Sequence, residues 1–202
     1  MDTVERLIAS TRELLWERGY TGTSPRAVQQ RSGVGQGSMY HHFAGKRELA
    51  LAAITRTAEE MRVMAEERLS LPGTAAETVT RYLRREREVL RGCPVGRLTQ
   101  DPDVMSDPVL RAPVEETFRW LSERLARVLQ EGLRRGEFDA ALDPRATADA
   151  LVAVLQGGYV LARAADSTAP FDRALDGVLG LLAARTATAP PAGPAAARTS
   201  TA

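Results

Sequence analysis

The chain is poor in the residues that usually announce chemistry. It has one cysteine, Cys93, in 202 residues, so no internal disulfide can form. It has two histidines, His41 and His42, adjacent in sequence. On a helix, neighbours project about 100° apart, so they cannot close on one metal ion as an i, i+4 pair does. Asp101, Asp103 and Asp107 lie close together, but Asp101 and Asp107 each precede a proline as turn and cap residues do, and no closing glutamate completes a calcium loop. There is no glycine-rich phosphate loop, no Ser/His/Asp set and no HExxH. No metal, cofactor or enzymatic activity is expected. Aromatics make up 5% of the chain, and no 18-residue apolar run exists, which points to a cytoplasmic protein. Internal repeats are absent as well.

What the chain does have is helical patterning. Asp2 with Glu5 reads as a capping-box-like start, and Gly19 as the stop, of a helix from Thr3 to Arg18. Its stripe is Val4, Leu7, Ile8, Thr11, Leu14 and Leu15. Ser24-Pro25 starts a short helix to Arg31 or Ser32, Gly33 makes a tight turn, and a second short helix covers Gln36 to His42. Met39 and Phe43 face inward with Val34, leaving Gln36, Gly37, Ser38, Tyr40, His41 and His42 outward. From Ser24 to Arg47 there are four basic residues and no acid, and Lys46 is the only lysine in the chain. A polar helix face on a basic, acid-free segment is what a DNA major groove would meet.

At Gly33 to Lys46, read as G-V-x-x-G-S-M-Y-H-H-F-x-x-K, the sequence resembles the TetR family of bacterial transcriptional regulators. The resemblance implies an all-α protein: a three-helix DNA-binding head over residues 1–49 and a helical ligand-binding and dimerisation body over 50–186. It implies that Gln36, Gly37 and Ser38 approach base edges and that Arg26 reaches a guanine. Tyr40, His41, His42 and Lys46 would hold phosphates, and Ser24 would cap its helix and touch the DNA backbone. Double-stranded palindromic DNA, a second copy of the chain and a small-molecule inducer are the implied partners.

Beyond the head, a long helix runs from Lys46 to Leu69, starting on Gly45, a weaker cap than Ser, Asn or Asp. Leu71-Pro72-Gly73 breaks it, and Thr74 with Glu77 opens a helix expected to reach Arg91. The run Arg81, Arg84 to Glu88 has acids interleaved, which favours a solvated face over a second nucleic-acid patch. Gly92-Cys93-Pro94-Val95-Gly96 forms a corner, and a helical segment runs from Arg97 to Asp101-Pro102. Asp107-Pro108 makes a further helix start, and Val114 to Arg135 reads as a long helix. Helices opened by Pro144 and Pro170 follow, and residues 187–202 read as a disordered tail. Residues 1–49 carry seven basic and five acidic side chains, and residues 50–186 carry nineteen and twenty-one. That slight negative charge gives no reason to expect an anionic inducer.

GCPVG and LQGGYVLARAADSTAPFD resemble the LmrA/YxaF-type branch of the family. That implies control of an efflux or oxidoreductase gene and release by planar, mostly apolar aromatic molecules. The expected pocket lining is Met64, Tyr82, Leu98, Phe118, Leu121, Gln156 and Tyr159. Methionine and aromatic faces suit a flat apolar molecule, and Gln156 and the tyrosine hydroxyls suit a polar edge. The last two helices are apolar over much of their circumference, so Leu151, Leu155, Gly158, Leu175, Leu179 and Leu182 are expected at a two-fold interface, with Gly157 and Gly158 admitting the partner helix. The alternative function is a dimeric DNA-binding regulator without an inducer, its body serving dimerisation or a protein partner.

Overall fold

A computed structural model of the chain describes residues 2–186. The expected tail over 187–202 lies outside the described residues. The fold is all-α: α1 (Thr3–Arg18), α2 (Pro25–Ser32), α3 (Gln36–His42), α4 (Lys46–Leu69), α5 (Ala75–Leu83), α6 (Pro102–Ser106), α7 (Pro108–Arg134), α8 (Pro144–Ala165) and α9 (Ala169–Ala183). Among the described residues no helix is long and apolar enough to cross a membrane.

Two hydrophobic clusters form. The smaller gathers Leu7, Ile8 and Leu14 of α1 with Val28, Val34, Met39, Phe43 and Leu49. The larger takes the inner faces of α4, α5, α7, α8 and α9. Leu15, one residue beyond Leu14 on α1, belongs to the larger cluster. The first helix is therefore packed into both.

The helix ends show which local signals prevailed. Asp2 caps α1 by accepting from Thr3 N–H, but Glu5 does not complete a box, because Arg56 of α4 takes its carboxylate at 3.0 Å. Thr74 and Glu77 do form a reciprocal capping box on α5. Gly45 offers no cap to α4, and the Glu48 carboxylate accepts from Ala44 N–H at 2.7 Å in its place.

Two expectations are corrected. The helix after Thr74 ends at Leu83 rather than Arg91, and a 3₁₀ turn, Val89–Arg91, follows; the helical segment expected from Arg97 is a second 3₁₀ stretch, Gly96–Gln100. Arg87 folds back and donates to the Tyr82 and Leu83 carbonyls, both at 2.9 Å, satisfying the helix end. From Arg84 to Glu88 the charged run is thus an irregular segment, not a helix face, and only Arg81 lies on α5. The long helix also begins at Pro108, not Val114, and runs through Pro113. The proline falls so near the N-terminus that the carbonyl it deprives belongs to Val109, a residue exposed to water.

Helices α5 and α7 approach closely at Gly132, where an added Cβ would lie 2.5 Å from Ala75 Cβ and 2.7 Å from a Phe138 ring carbon. Alanine is the better helix former, yet here overpacking outweighs propensity. Gly132→Ala should destabilise the fold by about 1–3 kcal/mol in denaturant titration. An unchanged or raised midpoint would contradict this packing.

Candidate nucleic-acid interface and ligand cavity

The head is built on α2 and α3. Ser24 Oγ accepts from Ala27 N–H at 3.1 Å and caps α2, with Pro25 at its first position. Gly33 ends α2 in the left-handed region, φ 66°, where a side chain would be strained. Arg6 of α1 donates to the Ser32 carbonyl through Nε at 3.1 Å, fixing the same turn from outside. Met39, Phe43 and Val34 are buried beneath α3. Gln36, Gly37, Ser38, Tyr40, His41 and His42 are exposed, as are Ser24 and Arg26. A Cβ on Gly37 would meet nothing within 4 Å, so the start of α3 is an open surface.

The charge of this head differs from its sequence. The segment from Ser24 to Arg47 contains no acid, but the fold brings two against it. Glu17 of α1 pairs with Arg31 at 2.9 Å, and Asp107 ahead of α7 accepts from Arg47 Nη2 at 2.8 Å. Arg31 accordingly holds the Glu17 carboxyl below its ordinary value, and Arg47 holds that of Asp107 down to about 2. Among the described residues Arg26 and Lys46 keep no such partner. Lys46 is half-buried, its Nζ 4.0 Å from the centroid of the Tyr20 ring.

Beneath the head lies a cavity of about 580 Å³. Met64, Tyr82, Phe118, Leu121, Gln156 and Tyr159 all border it. Leu98 does not: it is buried in the body core. Cys93, a structural or pocket-lining thiol by sequence, borders the cavity too; Met61, Arg85 and Arg87 are unanticipated, as above all are Arg12 and Trp16, because the stripe of α1 points to the head. A signal was there, since Trp16 lies just off the head-facing stripe. Cys93 is buried, which raises its thiol pKa, and its Sγ accepts from Gly96 N–H at 3.2 Å. A second hollow of about 710 Å³ adjoins the first through Gly92, Phe118, Gln156 and Tyr159, and Arg97 and Arg163 border it.

The junction between head and cavity is polar and specific. Trp16 Nε1–H donates to the Gly92 carbonyl at 3.0 Å, and the Arg91 guanidinium lies 3.6 Å from the indole centroid. Arg97 donates to the Trp16 carbonyl and to that of Glu17, taking up acceptors at the end of α1. Asp101 caps α6 and reaches across to Thr21, accepting from its N–H at 2.8 Å and its hydroxyl at 2.9 Å.

The residues expected at a two-fold interface are placed otherwise. Leu151, Leu155, Gly158, Leu175 and Leu182 are buried within the chain's own α7–α8–α9 packing, and Leu179 is half-buried. Gly158 admits Phe171 of the same chain, which a Cβ would meet at 2.9 Å. Each helix has two apolar stripes, and these residues occupy the inner one. The outer one carries Val160, Leu161 and Leu181, which are 65%, 54% and 73% exposed, together with Gly157 and Gly177.

A helix-turn-helix head with a bare polar second helix, seated on a hollow helical body, is the architecture of a DNA-binding regulator of transcription. The chain belongs to the TetR family. Residues 7–53 match "Bacterial regulatory proteins, tetR family", and residues 74–178, just over half the chain, match "Tetracyclin repressor-like, C-terminal domain". It is similar to the transcriptional regulator LmrA of Bacillus subtilis, 28% identical over 176 residues covering 84% of this chain and 90% of LmrA. YxaF of the same organism is 27% identical over 137 residues, 64% of this chain and 71% of YxaF. A TetR regulator from Chloroflexus aurantiacus superposes with a TM-score of 0.82 at 26% identity, over 91% of this chain and 96% of that one. These relatives are regulators of transcription, not enzymes.

Burial alone would raise the Asp101 carboxyl, but the Thr21 and Val104 donors hold it below its ordinary value. A depressed folded-state pKa stabilises the fold above the unfolded value, ~3.9, and that stabilisation is lost as pH falls through the folded one. Asp101→Asn should therefore lower the melting temperature at neutral pH and weaken its decline on acidification. Melting curves that track the wild type from neutral to acid would contradict the assignment.

Proposed function

We propose that the chain is a ligand-responsive repressor. As a homodimer in the cytoplasm it binds a palindromic operator through α3, and a small molecule entering the body cavity releases it. The observation that carries this reading is that the cavity reaches the head: Arg12 and Trp16 of α1 border the space that also touches α4, α5, α7 and α8. An occupant that prefers one placement of α1 and α4 would shift the heads, and a coupling of about 1–3 kcal/mol gives 5- to 150-fold release. The resemblance of GCPVG and LQGGYVLARAADSTAPFD to the LmrA/YxaF-type branch is the ground for proposing control of an efflux or oxidoreductase gene.

Gln36, Gly37 and Ser38 are offered to base edges, with Arg26 reaching a guanine from α2. Tyr40, His41, His42, Lys46 and Ser24 serve the phosphates. Arg31 and Arg47 are paired with Glu17 and Asp107, which leaves Lys46 as the cation offered to the phosphates and Arg26 as the one offered to a base. Lys46→Ala should weaken binding to every sequence alike and lower the salt slope by about one. Gln36→Ala should instead relax preference at one base pair by about 1–3 kcal/mol. Fluorescence anisotropy on operator and random duplexes separates the two, and identical profiles would reject these roles.

The dimer is proposed to form through the outer stripe of α8 and α9. Leaving Val160, Leu161 and Leu181 in water forgoes their burial, and Gly157 and Gly177 allow close helix approach. The two recognition helices would then sit about 34–36 Å apart or slightly more. Leu161→Glu and Leu181→Glu should give folded monomers by light scattering that lose operator binding. Dimers of undiminished stability in both variants would rule this face out.

A further inference from the structure

We propose that the cavity takes an aromatic carboxylate, its ring among Met61, Met64, Phe118 and Leu121 and its negative end at Arg85. This rests on reading the cavity as the inducer site, and it supplies a reason to expect an anion that the body's net charge does not give. Net charge averages over the surface, whereas the cavity wall carries its own charges.

The early end of α5 is what sets them. Because the helix stops at Leu83, the chain turns back and puts both Arg85 and Arg87 on the cavity wall. Arg87 is well supplied with hydrogen-bond acceptors: the Arg85 carbonyl at 3.1 Å, the Tyr82 and Leu83 carbonyls, and the Tyr159 hydroxyl at 3.4 Å. All are neutral. They satisfy its N–H groups and leave its charge uncompensated.

Arg85 has less. Among the described residues it forms no ion pair, and its Nε is shielded from solvent without a hydrogen-bond partner. Its guanidinium carbon lies 5.4 Å from the Tyr82 ring centroid. A buried donor on a cation is costly to leave unpaired.

The acids bordering the cavity do not answer these cations. Glu60 is held by Arg12, Glu88 faces Arg91 at 3.7 Å, and Glu86 is exposed to solvent. Burial and the neighbouring Arg85 both disfavour the charged form of Arg87. An anion arriving beside the pair would relieve both. A carboxylate can take two parallel N–H bonds from one guanidinium, a geometry that a neutral edge cannot match. The adjoining hollow, whose rim at Gly157 and Val160 belongs to the proposed dimer face, adds Arg97 and Arg163 without any acid, so the surroundings of the cavity are positive on that side as well.

The test is a matched-pair titration of the full chain at neutral pH: 2-naphthoate and biphenyl-4-carboxylate against their methyl esters, by calorimetry and thermal shift. The acids should bind saturably and about tenfold or more tightly than the esters, and Arg85→Gln should erase the preference while ester binding survives. The wild-type comparison stands without the variant, and Arg85→Lys, which keeps the charge but not the fork, should retain part of the preference. Esters that bind as tightly as acids, or a preference that survives in Arg85→Gln, would overturn the proposal and leave the cavity as a site for neutral molecules. Binding by neither series would overturn the proposal, while the inducer reading is tested separately by the linkage between cavity ligand and operator.

Discussion

The constraint on which the structure depends is that α1 is packed into two cores at once. Leu7, Ile8 and Leu14 are buried with α2 and α3, and Leu15 is buried with the body. The two commitments meet at adjacent residues, Leu14 and Leu15, which project about 100° apart around the helix. Interiors are close-packed and do not deform smoothly, so α1 cannot rotate or slide to suit one core without disturbing the other. Its C-terminal end is further fixed by Gly92 and Arg97, which border the cavities, and by Arg91: Gly92 accepts from the Trp16 indole, Arg91 stacks above it, and Arg97 donates to the last carbonyls. The recognition helix therefore rests on an element whose position is decided partly by what surrounds the cavity.

The long helix α4 repeats the arrangement from the other side. Leu49 lies in the head cluster, while Ala50, Ala53 and Ile54 lie in the body cluster. The surface ion pairs that also cross the seam, Arg56–Glu5 and Arg47–Asp107, are worth little singly when they face water. What couples the two units is the buried packing, with Asp101 and Trp16 supplying directional bonds at its edge. The small alanines of α4 let it approach its neighbours closely, so modest shifts at the cavity wall are felt along its length.

Much of the fold was legible because its signals are local. Asp2, Ser24-Pro25, Thr74 with Glu77, Asp143-Pro144 and the glycine stops mark helix ends within a few residues of sequence, and the α3 face follows from the spacing of Met39 and Phe43. The misreadings came from contacts that helical periodicity does not carry: some partners lie far along the chain, and Arg87 lies just past the helix it caps. Nothing within the Thr74 helix says that Arg87 will cap it at Leu83. The acid-free stretch from Ser24 to Arg47 gives no hint of Glu17 or Asp107, which only the fold delivers. An apolar residue on α8 or α9 can serve its own core or a second chain, and periodicity alone does not say which stripe turns inward. For the same reason Leu98, a good wall residue by type, proved to be interior, and Trp16 proved to be a wall.

If α1 and α4 transmit the state of the cavity to the recognition helix, then ligand and operator must each weaken the other's binding by the same factor. The direct measurement is calorimetric titration of one cavity-binding compound into the protein, alone and saturated with operator DNA, beside titration of operator with and without that compound. The account predicts the same loss of affinity in both directions, within the 5- to 150-fold range of a coupling of about 1–3 kcal/mol. A compound that binds the cavity with one affinity whether or not operator is present would contradict it.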